Sequence, residues 1–253
     1  MRGSSSARQL GLRSRPPGRS FLRQRWRSLL FLHWAVDPEV LRPRVPAELS
    51  LDLYEEKAYL GLVPFFLEWR SIGSMALPEG WFDFPEINVR TYVVDALGRP
   101  GVWFFSLDAA LRLAVAGARF LYRLPYFFSR IEMEGDPTDR GVHYQVDRRE
   151  DRQAKSRFFW KAAGPPREAE PGSLSFFLIE RYLLFSRSRR GGDRWARIWH
   201  SPYPIQELTE CRWDTALLGA DGLPEPAGQP DHAVASPGVD VEIFWPRRAG
   251  EED

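Results

Sequence analysis

The stretch Arg119-Phe-Leu-Tyr-Arg-Leu-Pro-Tyr-Phe127 joins two predicted elements of different type. The preceding run, Ala109–Arg119, is rich in alanine and leucine and predicts an α-helix. The following run, Tyr126–Glu134, is rich in aromatic and branched residues and predicts a β-strand. Pro125 therefore lies where a helix gives way to a sheet, and the two residues after it are aromatic.

The rest of the chain is a series of short strand patterns separated by turn residues. Asp37-Pro38-Glu39 predicts a short helix with an N-cap carboxylate, and Gly172-Ser173 precedes a second predicted helix. Ser106 to Asp108 is interpreted as the N-cap region of the helix at 109–119. Strands are predicted at 49–53, 59–66, 87–94, 101–107, 126–134, 143–147, 157–162, 182–186, 195–199 and 239–245, the first two as a hairpin.

This pattern predicts an α+β, mainly β fold, with a curved or closed antiparallel β-barrel and two or three peripheral helices. We expect one domain at 21–248, because no internal repeat or change of composition divides the chain. Residues 1–20 are rich in arginine, glycine and serine, which predicts a disordered tail. Residues 249–253 are expected to form a short second tail.

Composition excludes several classes of function. The formal net charge of +1 gives no support for a nucleic-acid partner, and the apolar run Leu29–Val36 is too short to span a membrane. The single cysteine, Cys211, excludes an internal disulfide and favours a reducing cytoplasm. Four scattered histidines match no metal-ligand spacing, and no phosphate-binding or dinucleotide-binding glycine motif is present. We therefore expect no metal or cofactor.

Several segments together resemble the YqjF-like family, also called domain of unknown function 2071, of the acetoacetate decarboxylase-like superfamily. The similarity covers roughly residues 21–248 and implies a barrel fold. The segments that carry it are Phe31-Leu-His-Trp34, Gly61-Leu-Val-Pro-Phe65, Phe84-Pro-Glu-Ile-Asn-Val-Arg-Thr-Tyr-Val93, Pro100-Gly-Val-Trp-Phe-Phe-Ser-Leu-Asp-Ala109 and Pro171-Gly-Ser-Leu174 leading into Glu180-Arg-Tyr182. The segment Pro38–Pro46 resembles the N-terminal segment of the acetoacetate decarboxylases.

Only some of the active-site residues of the superfamily have a match in this sequence. An arginine followed six residues later by proline is present as Arg119 and Pro125, but Tyr126 and Phe127 replace the two lysines that follow in the decarboxylases. Glu86 matches an active-site glutamate, whereas a family arginine aligns with Ala35. Because an imine needs an amine nucleophile, we expect no decarboxylation of acetoacetate.

The chain has only three lysines that could replace the missing pair. Lys57 lies in a predicted turn and Lys155 in a charged stretch, so both are expected to be solvated. Lys161 follows Phe158-Phe-Trp160 on a predicted strand and could face inward, which leaves a divergent decarboxylase as a third hypothesis.

A polar face on one predicted strand gives the best candidate site. Glu86, Asn88, Arg90 and Tyr92 alternate with apolar residues and therefore share a face. That face is either solvated or the wall of a cavity in which Arg90 binds an anion. The ligand-binding candidates are Glu86, Asn88, Arg90, Trp103, Phe105, Arg119 and Tyr126.

These observations favour a protein that binds a small organic or anionic metabolite, and they leave open whether it is an enzyme. The alternative from another class is a non-catalytic structural or interaction protein whose interior is filled with aromatic side chains. A homo-oligomer is compatible with either function. An internal cavity of ~300–1,000 Å³ would favour the ligand-binding hypothesis.

Overall fold

A computed structural model describes residues 2–151, 153–187, 193–226 and 228–251. Within these residues the chain forms fourteen strands, five α-helices and a 3-10 turn at Arg42–Arg44. The helices are α1 (Arg2–Leu12), α2 (Pro38–Leu41), α3 (Arg112–Leu121), α4 (Leu174–Ile179) and α5 (Ala216–Ala220). The strands are β1 (Leu22–Val36), β2 (Ser50–Leu51), β3 (Ala58–Ile72), β4 (Met75–Ala76), β5 (Phe84–Val94), β6 (Pro100–Ala109), β7 (Tyr126–Asp136), β8 (Gly141–Arg148), β9 (Lys155–Arg167), β10 (Leu183–Arg187), β11 (Asp193–His200), β12 (Ile205–Arg212), β13 (His232–Ile243) and β14 (Arg247–Arg248).

Nine of the strands close into a ring of hydrogen-bonded neighbours. The order is β6-β7-β8-β9-β12-β13-β1-β3-β5, and β5 pairs back with β6. The pairings in the ring are antiparallel except that of β6 with β7, where α3 provides the crossover between parallel strands. The mainly β fold with a curved or closed sheet is confirmed.

Both faces are buried in the second half of β1, the first half of β3 and most of β5, so alternate residues there enter two different cores. On β1, Leu29 and Phe31 belong to one apolar cluster, whereas Leu30 and Leu32 belong to another. Such strands appear in the sequence as continuous apolar runs. The period-two rule then decides which core each side chain enters.

The hairpin predicted for 49–53 and 59–66 is wrong. β2 pairs with β5 instead. The reason is that β3 already has β1 on one side and β5 on the other, which leaves no free edge for β2. Val93 and Val94 of β5 pair with β2 on one edge and with β6 on the other, so β2 lies on the same edge of β5 as β3, beyond the start of β3. Glu55 and Glu56, both with positive φ, form the turn between β2 and β3.

Two of the predicted helix caps are present. The Asp37 carboxylate accepts a hydrogen bond from the Glu39 amide at the start of α2, and the Ser173 hydroxyl accepts one from the Phe176 amide in α4. The predicted N-cap role of Asp108 is wrong. β6 continues through Asp108 to Ala109, and α3 begins only at Arg112.

The prediction that residues 1–20 form a disordered tail is also wrong. Residues 2–12 form α1, and Gln9 is buried because its Nε2 donates to the Phe176, Phe177 and Glu180 carbonyls around α4. Arg197 donates to the carbonyls of Leu12 and Ser14 and fixes the end of α1 and the chain that follows. At the other end, residues 252 and 253 lie outside the described part of the chain. None of the helices that the structure describes has the length and apolar character needed to cross a bilayer.

Candidate functional site

A cavity of about 400 Å³ lies between β1, β3, β5, β6 and α3. Its walls are mostly aromatic and aliphatic, and the described residues that line it include no lysine or arginine. The side chains in its lining that carry polar atoms come from β1, β3, β5 and the segments after α3 and β13. They are Gln24, Trp26, Trp69, Glu86, Asn88, Tyr122, Tyr126 and Trp245.

Glu86 and Tyr126 form a hydrogen-bonded pair in this cavity. The Tyr126 hydroxyl donates to Glu86 and lies 3.0 Å from Oε2 and 3.2 Å from Oε1. Burial raises the pKa of Glu86 from 4.5 to about 8, against the opposing effect of the Tyr126 hydrogen bond. Burial also raises the pKa of Tyr126, and the neighbouring Glu86 raises it further. At neutral pH the pair is therefore uncharged, and its carboxyl group can both donate and accept hydrogen bonds.

Asn88, one alternation further along β5, presents a polar atom with no partner. Its Oδ1 is buried and accepts no hydrogen bond from any residue that the structure describes. The Trp69 Nε1 is also buried and donates no hydrogen bond to any described residue, and Trp69 lines the same cavity. Buried polar atoms normally have partners, and an unmade hydrogen bond costs about 1–3 kcal/mol. These two side chains thus offer one unpaired acceptor and one unpaired donor to a bound molecule.

Trp103 and Phe105, predicted to hold the ligand, do not line this cavity. The register of β6 against β5 shifts by one residue, because Ser106 pairs with Val89 while Phe104 pairs with Arg90. Phe105 is the extra residue of this β-bulge, which reverses the alternation beyond it. Phe104 lines the cavity as a result, while Trp103 and Phe105 pack against a separate apolar cluster.

Arg90 faces the same side of β5 as Glu86, as the alternation predicted, but it serves a different part of the interior. Its Nε donates to the Tyr92 hydroxyl at 3.2 Å, and its Nη2 donates to the Leu178 carbonyl at 3.3 Å. Its guanidinium also lies over the Phe31 ring. Arg90 does not line the cavity, so the predicted capture of an anion there by Arg90 is wrong.

A chain of hydrogen bonds continues from Arg90 through two histidines. The Tyr92 hydroxyl lies 2.7 Å from His33 Nε2, and His33 Nδ1 lies 3.0 Å from His232 Nδ1. His232 Nε2 then lies 2.9 Å from the Ser175 hydroxyl. Burial lowers the pKa of both histidines, that of His232 to about 4. This half of the face is filled and internally satisfied, whereas the half around Glu86 is open.

Arg119 also lies outside the cavity lining, yet it positions a residue of the site. Its Nε donates to the Tyr126 carbonyl at 2.6 Å, and its guanidinium is 3.5 Å from the Glu150 carboxylate. Arg119 therefore fixes the backbone that presents the Tyr126 ring to Glu86. It makes this contact from the exposed side of α3.

The neighbouring aromatic, Phe127, points to a different polar cluster. The guanidinium of Arg148 lies over its ring and forms ion pairs of 2.7 Å with both Asp108 and Asp221. Ser129 adds a hydrogen bond to Asp108. Asp108 thus has a structural partner. Among the described residues, no three histidine, cysteine or acidic side chains are arranged to hold a metal ion.

None of the three lysines takes the place of the missing pair. Lys57 is exposed, Lys155 pairs with Asp147 at 3.0 Å, and Lys161 lies on β9 with its backbone paired to Glu210. The described lining of the cavity contains none of them. The hypothesis of a divergent decarboxylase acting through Lys161 loses its basis.

The contribution of β1 to the cavity was not predicted from the sequence. Leu22, Gln24 and Trp26 line it, while the arginines between them point outward. This period-two pattern was visible as alternating apolar or polar residues and arginines at 22–27, but the strand was not assigned. The Gln24 Oε1 accepts a hydrogen bond of 2.9 Å from Trp26 Nε1.

Comparison with solved structures places the fold. The chain superposes on the enduracididine biosynthesis enzyme MppR complexed with pyruvate with a TM-score of 0.61, at 11% identity, over 93% of this chain and 91% of that one. An acetoacetate decarboxylase-like enzyme from Sphingomonas wittichii RW1 gives 0.60, at 13% identity, over 90% and 92%. The acetoacetate decarboxylase of Legionella pneumophila gives 0.58, at 11% identity, over 93% and 92%. The chain therefore has the acetoacetate decarboxylase-like fold.

Sequence comparison gives the family. The chain is 36% identical over 233 residues to the uncharacterized protein YqjF of Bacillus subtilis (strain 168), and this covers 92% of the chain and 94% of YqjF. The family model DUF2071, described as an uncharacterized conserved protein, matches residues 23–240. The predicted resemblance is confirmed, and the chain belongs to the DUF2071 family.

Proposed function

We propose that this protein binds a small, uncharged and mainly apolar organic molecule that carries a hydrogen-bond donor. The observation that carries the proposal is the cavity of about 400 Å³, in which the buried Asn88 Oδ1 lacks a partner among the described residues. Cavities of ~300–1,000 Å³ with few polar groups are typical of small-molecule sites. An interior filled for structural reasons alone would leave little void.

The charge of the ligand follows from the lining. An anion would meet no lysine or arginine among the described lining residues, and it would lie beside the Glu86 carboxyl. A cation would need an ionised Glu86, but burial raises the pKa of that carboxyl to about 8. A neutral molecule avoids both costs, because neither partner then loses the hydration of a charge.

Three naphthalene derivatives test the proposal. 2-Naphthol offers a hydroxyl donor, naphthalene lacks it, and naphthalene-2-carboxylate is an anion of similar size. We expect 2-naphthol to bind about tenfold or more tightly than naphthalene, because a donor satisfies the buried Asn88 Oδ1. We expect no binding of the carboxylate at pH 7. Fluorescence titration or calorimetry measures each Kd.

An Asn88→Leu variant should lose the preference for 2-naphthol and keep its affinity for naphthalene. Gln145→Leu, an equivalent change at an exposed position on β8, is the control and should bind like the unmodified protein. Tighter binding of the carboxylate than of 2-naphthol would contradict the proposal. So would an unchanged preference in Asn88→Leu.

The Glu86–Tyr126 pair favours a second candidate function, general acid–base catalysis on the bound molecule. A carboxyl group with a pKa of about 8, hydrogen-bonded to a tyrosine, suits proton transfer near neutral pH. At pH 9 the carboxylate would remove a methyl proton from a bound ketone such as 2-acetylnaphthalene, giving the enol or enolate. In D₂O the return step would place deuterium on that carbon, which NMR detects. Absence of protein-dependent exchange, or exchange that persists in Glu86→Gln, would exclude this function for that ketone.

A further inference from the structure

The outer surface of α3 carries an apolar stripe beside a basic one. Leu113 and Phe120 are seven residues apart, about two turns, so they share a side of the helix. They are 71% and 74% exposed. Gly117 lies between them on the same side and is exposed as well. Large apolar side chains this exposed, and grouped together, mark a contact surface more often than a free one.

The basic stripe comes from Arg112, Arg119 and Arg123. Arg112 and Arg119 are seven residues apart and share one side of α3, next to the apolar stripe. Arg123 lies just beyond the end of the helix, with its guanidinium over the Phe120 ring. All three side chains are exposed, and the sequence of α3 contains no acidic residue. One of the three, Arg119, also lies 3.5 Å from Glu150. The exposed side of α3 therefore combines apolar character with positive charge.

The apolar stripe continues into the mouth of the cavity. Phe120 and Gly117 line the cavity and are also exposed. Trp245, 55% exposed, lines the same mouth and lies with its ring 4.0 Å from that of Phe21. A molecule that leaves the cavity here crosses apolar side chains that belong to the outer surface.

We propose that this α3 patch, formed by Arg112, Leu113, Arg119, Phe120, Arg123 and Trp245, docks on an anionic lipid surface from which the cavity takes up its apolar molecule. Helices with arginine on one side and leucine and phenylalanine on the other lie in the interface of a bilayer, and tryptophan prefers that depth. The charge of the patch complements anionic headgroups. This contact is peripheral and needs no membrane-spanning segment. The uptake part rests on the proposed ligand site, whereas docking does not.

Vesicle flotation tests the docking with lipids as the only probe. The unmodified protein is mixed with vesicles of phosphatidylcholine alone or of phosphatidylcholine with phosphatidylglycerol. We expect flotation with the anionic vesicles, and its loss at high salt because screening weakens the arginine contacts. Removing two inserted apolar side chains in Leu113→Ser/Phe120→Ser should lower the partition coefficient about tenfold or more. Replacing the three arginines with glutamine should lower it about a hundredfold.

The matched control is Val40→Ser/Leu97→Ser, which removes two apolar side chains that are 46% and 59% exposed elsewhere. It should float like the unmodified protein, and thermal unfolding checks that each variant is folded. Docking is overturned if the unmodified protein floats with neither vesicle or if the control loses flotation equally. It is also overturned if the variants in α3 float normally, or if Leu113→Ser/Phe120→Ser only dissociates an oligomer. Failure of 2-naphthol to bind, with flotation intact, would remove the ligand proposal and leave the docking.

Discussion

Replacing Glu86 with glutamine should stabilise the protein increasingly as the pH rises. The folded protein holds the Glu86 proton up to a pKa of about 8, whereas the unfolded chain releases it near 4.5. Between these values the folded state binds more protons than the unfolded state, so the free energy of unfolding falls as pH rises. The fall is about 1.4 kcal/mol per pH unit. Glutamine removes this dependence and can still accept the hydrogen bond from Tyr126.

The magnitude follows from the two pKa values. Relative to its value at pH 4, the stability of Glu86→Gln minus that of the unmodified protein should increase by about 3 kcal/mol at pH 7. By pH 9 the increase should reach about 5 kcal/mol, and it should then level off. Taking the difference between the two proteins cancels the titration of the buried histidines, which acts in the opposite direction.

Urea unfolding at five or six pH values measures this difference. Glu79→Gln, which removes one carboxylate from a side chain that is 88% exposed, is the matched control. A Glu86→Gln difference that varies by less than about 1 kcal/mol between pH 4 and pH 9 would refute the reasoning. That result would mean that Glu86 is ionised in the folded protein at neutral pH.

Four further outcomes are expected. Arg148→Met leaves two buried aspartates unpaired and should lower the unfolding free energy by about 3–5 kcal/mol in urea, with exposed Arg130→Met as a near-neutral control. Gly61→Ala places a Cβ only 2.9 Å from the buried His33 ring and should lower the unfolding free energy in urea by about 1–3 kcal/mol. Gly117→Ala meets open space on a helix and should raise it by roughly 0.5–1 kcal/mol, so equal effects of the two variants would contradict the packing. Because the pKa of His232 falls to about 4 in the folded protein, its contribution is present above pH 6.5 and lost as pH falls toward 4, and His232→Gln should remove that loss from a stability profile. Borohydride should trap no adduct with acetoacetate, as mass spectrometry of the intact protein would show.

The meeting of Glu86 with Tyr126 was predictable because two kinds of reasoning agreed on it. Similarity to the decarboxylases pointed to both positions, and strand alternation placed Asn88 on the same face. Trp103 and Phe105 were misplaced because a one-residue bulge in β6 leaves no mark that a period-two pattern can detect.

Other errors arose where tertiary contacts outweigh composition. Residues 1–20 have the composition of a disordered segment, yet Gln9 caps buried carbonyls near α4 and keeps α1 in place. Arg90 faces the side of β5 that the alternation predicted, but its hydrogen bonds could not be predicted. The sequence does not show that its guanidinium turns toward the Tyr92 hydroxyl, and the Leu178 carbonyl is distant in the chain. Strand alternation shows which side chains of β5 share a face. It does not show that the Glu86 end of this face lines a cavity while the Arg90 end is filled, because that depends on side chains packed from other strands.

The bulge at Phe105 also bears on how the cavity can change during evolution. Deleting Phe105 would restore regular pairing and leave Phe104 opposite Arg90, so Phe104 and Leu107 would both still face the cavity. If the extra residue instead lay nearer the start of β6, Phe105 would pair with Arg90 and would take the place of Phe104 in the cavity. The position of the bulge, rather than the length of the strand, thus decides which side chains of β6 face the cavity. Relatives with the bulge at another position would have differently composed cavities even where their aligned residues are identical.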